Sequence, residues 1–135
     1  MRKSNPTKDI GLLLLRLAFA GAMLTHGWPK LIKLIAGGEI HFPDPFSITP
    51  TASLALAVLG EFLAPILIII GLKTRLSAIP AAFTMAVAFF YIHAADPFGD
   101  KEMAFVYLIA FTTVALLGGG KFSIDGVLSK KKRRY

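Results

Sequence analysis

No cysteine occurs in the 135 residues, which removes dithiol exchange, iron–sulfur clusters and thiolate zinc sites from the chemistry open to this chain. Acidic residues are scarce, eight against fifteen basic ones, and no polar stretch is long enough to fold as a soluble catalytic domain. A cleavable leader is not expected either. The chain opens Met1-Arg2-Lys3 like a secretory signal, but Arg16 interrupts the apolar run and no convincing small-x-small cleavage site precedes His26. The ending Lys130-Lys131-Lys132-Arg133-Arg134-Tyr135 carries no glycolipid or prenyl signal.

What is present is apolar. Hydrophobic residues make up 55% of the chain and mean hydropathy is +0.65. They fall in four segments, 11–34, 52–72, 76–94 and a fourth centred on 103–117. A hydrocarbon core of ~30 Å needs about 20 residues at 1.5 Å rise each, so the fourth must extend to about 102–119 or thin the bilayer locally. The spacing predicts an all-α, integral membrane four-helix bundle occupying residues 1–135 as a single domain, with a basic tail over 121–135.

Charge orients this bundle. Assigning the loops alternately to two faces puts eleven basic against two acidic residues on one side, a balance of +9, and three basic against five acidic on the other. The positive-inside rule predicts that both termini are cytoplasmic, in a bacterial inner membrane. A pI near 9.9 invites a nucleic-acid partner, but the basic residues cluster at span ends. Orientation and attraction of anionic lipid head groups to the tail explain them, and no nucleic-acid partner is expected.

Between the spans, residues 36–50 hold Gly37, Gly38, Pro43, Pro45 and Pro50, too broken for a regular element. The apolar Ile40, Phe42, Phe46 and Ile48 suggest a lid on the outer surface. Lys73-Thr74-Arg75 is a tight turn that makes the second and third spans an antiparallel hairpin. Ala78, Ala82 and Ala86 form a candidate packing stripe. Asp125, after the Gly118-Gly119-Gly120 turn, is placed to cap a following short helix or to pair with Arg75.

Glu61 is the most unusual residue, a carboxylate near the bilayer midplane, where ionisation is costly and function is the default expectation. Pro65, four residues on, removes the amide that would bond the Glu61 carbonyl. A structural role competes evenly: Arg16 and Glu61 as an ion pair that registers the bundle. Arg16, ~9 Å up the first span by helix rise, has a stem long enough to snorkel down to phosphates or to reach up to Glu61. His26 and His93 lie at ~24 and ~26 Å in different spans, so they share a depth. Tyr91 and Tyr107 are near that level, with Lys30, Asp96 and Glu102 just above. For any one of them an ordinary interfacial residue is the simplest account. Together they make a wet cavity suited to a quinone head group or a proton relay. Two histidines at equal depth are thin grounds for haem, and no metal site is expected.

The order of motifs resembles the DoxX family of small bacterial membrane proteins. The matching pieces are Leu14-Leu15-Arg16-Leu17 with Gly21, His26-Gly27-x-x-Lys30-Leu31, Leu59-Gly60-Glu61, and Gly71-Leu72-Lys73-Thr74-Arg75-Leu76. A late aromatic span with Tyr107 and the run Gly118 to Asp125 complete it. The resemblance implies a four-helix inner-membrane bundle and a loose link to redox chemistry. Such relatives include a quinone-reducing subunit of a thiosulfate oxidoreductase and members of an oxidative-stress membrane complex. It singles out Arg16, His26, Lys30, Glu61 and Arg75.

The leading expectation is a subunit that binds a quinone or another small molecule and serves a redox protein partner, which supplies the electrons. His26 and Glu61 are the candidate catalytic residues. His26, Lys30, Tyr91, His93 and Tyr107 are the candidate ligand-binding residues. One alternative is a non-enzymatic scaffold or assembly factor; another is a small-solute or proton-coupled transporter, for which four spans would require a homo-oligomer.

Overall fold

A computed structural model describes residues 5–134; Arg2 and Lys3, counted above at the basic end, lie outside them. All regular structure among the described residues is helical. Three helices are long and apolar enough to cross a membrane: α1, Pro6–Ala36, α2, Pro50–Ile70, and α3, Thr74–Ile92. A fourth, α4, Phe98–Leu117, runs 20 residues, and a short α5, Ile124–Lys132, closes the chain. Helix α4 has the length the fourth span needs because it starts earlier than its apolar core. Pro97 sets the turn, and the charged Asp100-Lys101-Glu102 forms the first turn of helix rather than a loop.

Local chemistry sets the boundaries. Asn5 caps α1 by accepting from the Lys8 amide at 3.3 Å, with Pro6 in the first turn. Thr49 does the same for α2, accepting from the Ala52 amide at 3.0 Å ahead of Pro50. Helix α2 ends on Gly71, whose φ of +74° is the left-handed conformation that lets the Leu72 amide fold back onto the Leu67 carbonyl at 3.0 Å. Each of α1, α2 and α3 also contains one π-helical turn, at Arg16–Ala20, Leu59–Leu63 and Ala88–Ile92.

The helices pack in chain order, α1 on α2, α2 on α3, α3 on α4, with α4 returning to α1. The core is built from Ala20 and Met23 of α1, Ala64 and Ile68 of α2, Ala78, Ala81 and Met85 of α3, and Tyr107, Phe111 and Val114 of α4. The buried stripe of α3 is therefore Ala78, Ala81 and Met85, while Ala82 and Ala86 of the expected stripe are only half-buried. Leu14, Leu56, Leu63, Ile79, Phe83, Ile109 and Leu116 face outward. In water this would be an aggregation surface; in a bilayer it is the lipid contact.

Backbones approach most closely around Glu61. A Cβ on Gly27 would collide with the Glu61 carbonyl, and one on Gly60 would collide with Thr84 and approach the Pro80 carbonyl. These two glycines let α1, α2 and α3 meet at one level. The two chain ends meet as well: the Lys121 amide donates to Asp9 at 3.0 Å. That end of the bundle is the terminal end, and the opposite one the far end.

Within residues 37–49 the Phe42 ring lies beside Lys30 at the far end, its centre 5.9 Å from the Lys30 Nζ. Asp44 organises the segment, accepting from the Ile48 amide at 3.0 Å and the Ser53 hydroxyl at 2.8 Å. Phe46 then lies against the flank of α3, stacked on Phe83 with ring centres 6.4 Å apart.

Candidate functional site

Two polar centres sit at opposite ends of the bundle. The far one is a cavity of about 170 Å³ whose wall includes Met23, His26, Lys30, Glu61, His93 and Tyr107. Glu61 is buried, and its carboxylate accepts a hydrogen bond from the Lys30 ammonium. The pairing follows from helix direction. Side chains lean toward the N-terminus of their own helix. Helices α1 and α2 are antiparallel, so Lys30 leans down from the far end while Glu61 leans up toward it. Gly27, one turn before Lys30, brings the two backbones together. Pro65 withholds the amide that would bond the Glu61 carbonyl, and it is this carbonyl that α1 packs against.

Tyr107 is buried beside this pair. His26 packs edge-on to it with ring centres 5.9 Å apart, and Phe111 stacks on it at 5.9 Å. His93 completes the far wall. Its Nδ1 lies 2.7 Å from the Asp96 carboxylate, which fixes the ring and leaves Nε2 directed away from that partner. The cavity thus offers a phenol, two imidazoles and an ammonium–carboxylate pair, set among the thioethers of Met23, Met85 and Met103. Such a set can bind an uncharged polar ring and pass protons to it.

Two expected site assignments are corrected. Tyr91 does not join the cavity; it is exposed and packs on Phe46 with ring centres 5.5 Å apart. The π-helical turn Ala88–Ile92 ends α3 here and turns Tyr91 outward. Arg16 and Glu61 do not pair. By the same lean that brings Lys30 to Glu61, Arg16 points to the terminal end. There its Nε donates to the Ile68 carbonyl at 2.8 Å and its Nη2 to that of Ile69 at 2.7 Å. Its Nη1 donates to the carbonyls of Gly119 and Phe122, both at 2.9 Å. The guanidinium thus satisfies the last carbonyls of α2, where the helix dipole is negative, and clamps the glycine turn after α4. Arg16 is 1% exposed.

Asp125 completes this second centre. It accepts from the amides of Lys73 and Thr74 at 2.8 and 2.7 Å and from the Thr74 hydroxyl at 2.7 Å. The carboxylate therefore caps α3 across space, while Ser123 caps α5, accepting from the Gly126 amide at 3.0 Å. Neither expected role, capping its own helix or pairing with Arg75, is the one it plays. Burial pushes the Asp125 carboxyl up, but the Thr74 and Lys73 hydrogen bonds and the Arg16 charge outweigh it and leave the group below its ordinary value of 3.8. A carboxyl lowered by folding adds stability above its unfolded-state pKa, and loses it as pH falls through the folded one. Acidification below about pH 4 is therefore expected to lower the melting temperature in detergent. Asp125→Ala should melt lower at neutral pH, by a cap's worth of ~1–2 kcal/mol, and show a shallower acid dependence. Identical acid profiles would refute this account.

The DoxX family model matches residues 11–94, which covers α1, α2 and α3 with Arg16, His26, Lys30, Glu61 and the Lys73–Arg75 turn. This chain belongs to the DoxX family. Among the relatives it matches, the inner membrane protein YqjF of Escherichia coli is 30% identical over 129 residues, covering 92% of this chain and 96% of that one. Two uncharacterised proteins of Haemophilus influenzae are 28% and 29% identical, covering 90% and 89% of this chain and 85% and 92% of their own. No solved structure matches. Sequence reasoning missed the Lys30–Glu61 pair, although the lean of side chains on antiparallel helices signals it. It also missed the lining methionines, which carry no motif.

Proposed function

We propose that this DoxX protein is an inner-membrane subunit that binds the head group of a quinone-like molecule in the far cavity and conveys protons to it. The observation that carries this reading is the pair of half-buried Lys30 and buried Glu61 opening onto the same cavity as Tyr107 and His26. The cavity suits one substituted ring; an apolar tail would leave past Met103, which is 61% exposed, into lipid. Tyr107 and His26 hydrogen-bond the ring oxygens, and Glu61 with Lys30 exchanges protons at them. Reduction of a quinone takes two electrons with two protons, and the electrons come from a redox protein partner. The basic excess at the terminal end supports a cytoplasmic location for both termini, with the cavity toward the opposite face. That the relative YqjF is an inner membrane protein supports the compartment.

Trp28 supplies a built-in test. It is the single tryptophan, lies two residues from Lys30, and packs on Phe62 with ring centres 6.0 Å apart. A short-chain ubiquinone analogue is expected to quench its fluorescence saturably in nanodiscs. Tyr107→Phe, which removes one hydrogen bond, should weaken that binding about tenfold. Linear quenching that is the same in both proteins, with no quinone in the lipid extract of gently purified protein, would overturn the reading.

A further inference from the structure

A second hollow, of about 450 Å³, lies at the terminal end, where the α2–α3 turn, the glycine turn after α4 and α5 come together. Lys73 and Arg75 line it, both exposed, and among the described residues neither side chain has a carboxylate or carbonyl partner. The Arg75 stem lies across the bare face of Gly118, its Nε 3.0 Å from where a Cβ would stand. Gly118 has a φ of +80°, so a side chain there is disfavoured twice over and the guanidinium keeps its resting place. Asp125 also borders the hollow, but its oxygens are engaged by Lys73, Thr74 and the Arg16 charge. The free charge facing the hollow is therefore positive.

The other walls are apolar. Leu76 and Leu117 line the hollow and are 62% and 43% exposed. Alongside, α5 and its approach expose Phe122, Ile124, Val127 and Leu128, with Lys130, Lys131 and Lys132 in the last turn of the helix. With α1, α2 and α3 crossing the bilayer, these exposed apolar residues meet the acyl boundary and the lysines meet the head groups. The hollow then opens at the depth where lipid phosphates sit. A free phosphate has no use for leucine walls; an amphiphile needs both surfaces.

We propose that this hollow is a site for an anionic phospholipid. Arg75 and Lys73 hold the phosphate, Ser129 and the glycine turn border the polar head, and the acyl chains descend along Leu76 and Leu117. Arg75 binds as a planar fork, so the site asks for more than positive charge.

The test uses the full chain, purified in detergent and offered an equal mixture of phosphatidylglycerol and phosphatidylcholine, with bound lipid counted by native mass spectrometry. Preferential retention of one phosphatidylglycerol is expected. Lys73→Gln with Arg75→Gln should weaken it about 10- to 30-fold, and Arg75→Lys should restore only part. Both positions are exposed, and an unchanged melting temperature confirms that the variants fold. Lys131→Gln with Lys132→Gln, which removes equal charge from the tail, should cost markedly less. Equal losses from the two double variants would mean diffuse attraction and overturn the site. Competition by inorganic phosphate that empties the hollow without lipid would overturn the lipid as its occupant. Unchanged selectivity in Lys73→Gln with Arg75→Gln would overturn both.

Discussion

Arg16→Ala is expected to remove most of the folded protein from the membrane. The substitution strips donors from four carbonyls, those of Ile68, Ile69, Gly119 and Phe122, and removes a guanidinium that is itself buried. Hydrogen bonds to a charged group contribute ~1.5–3 kcal/mol each, and removing one partner of a buried charged network costs roughly 3–5 kcal/mol. Stabilities of about 5–15 kcal/mol leave little behind. Arg16→Lys is expected to rescue poorly, because an ammonium has three donors on one atom and cannot span carbonyls on two chain segments. The measurement is the monodisperse fraction recovered from a fluorescent fusion. Wild-type recovery of Arg16→Lys would show that charge, not the fork, is what matters there.

The second large effect belongs to Lys30 and Glu61. Glu61→Leu alone leaves an ammonium facing an apolar wall, and Lys30→Met alone leaves a buried carboxylate without its cation. Each single change is expected to destabilise by about 3–5 kcal/mol, and the double Lys30→Met, Glu61→Leu by clearly less than their sum, with a coupling of ~1–3 kcal/mol. Lys30, partly open to the cavity at 30% side-chain exposure, sets the lower end of that range. Arg16 and Glu61 supply the control. They share no contact, so Arg16→Gln combined with Glu61→Gln should be additive within ~0.5 kcal/mol. Additivity in the Lys30–Glu61 cycle would refute the pair.

Much of this was legible in the residues. Apolar run lengths and loop charges define the helices, and the resemblance to DoxX proteins named Arg16, Lys30 and Glu61 together. What composition does not carry is rotation about a helix axis. Arg16 stands below Glu61 with a stem long enough to reach up, which made a pair of them attractive, yet their side chains lean apart while Lys30 leans in. The same limit hid the buried face of α3, which falls on Ala81 and Met85 one residue away from the expected stripe. Tyr91 was at the right height and on the wrong side. The fourth span was underestimated because its first turn is charged, and hydropathy cannot tell a charged helical turn from a loop. Asp125 was recognised as a cap, but its target lies 51 residues earlier in the chain, and nothing local reports that.

The sequence distance spanned by Arg16 also bears on how the protein is made. Two of its acceptors lie 103 and 106 residues downstream, so they leave the ribosome only after the helices between them have been made. Until then the nascent first helix holds a cation whose partners do not yet exist, and the insertion machinery or lipid phosphates must shelter it. A chain released early would keep that charge unanswered, marking it for the proteases that clear unfinished membrane proteins.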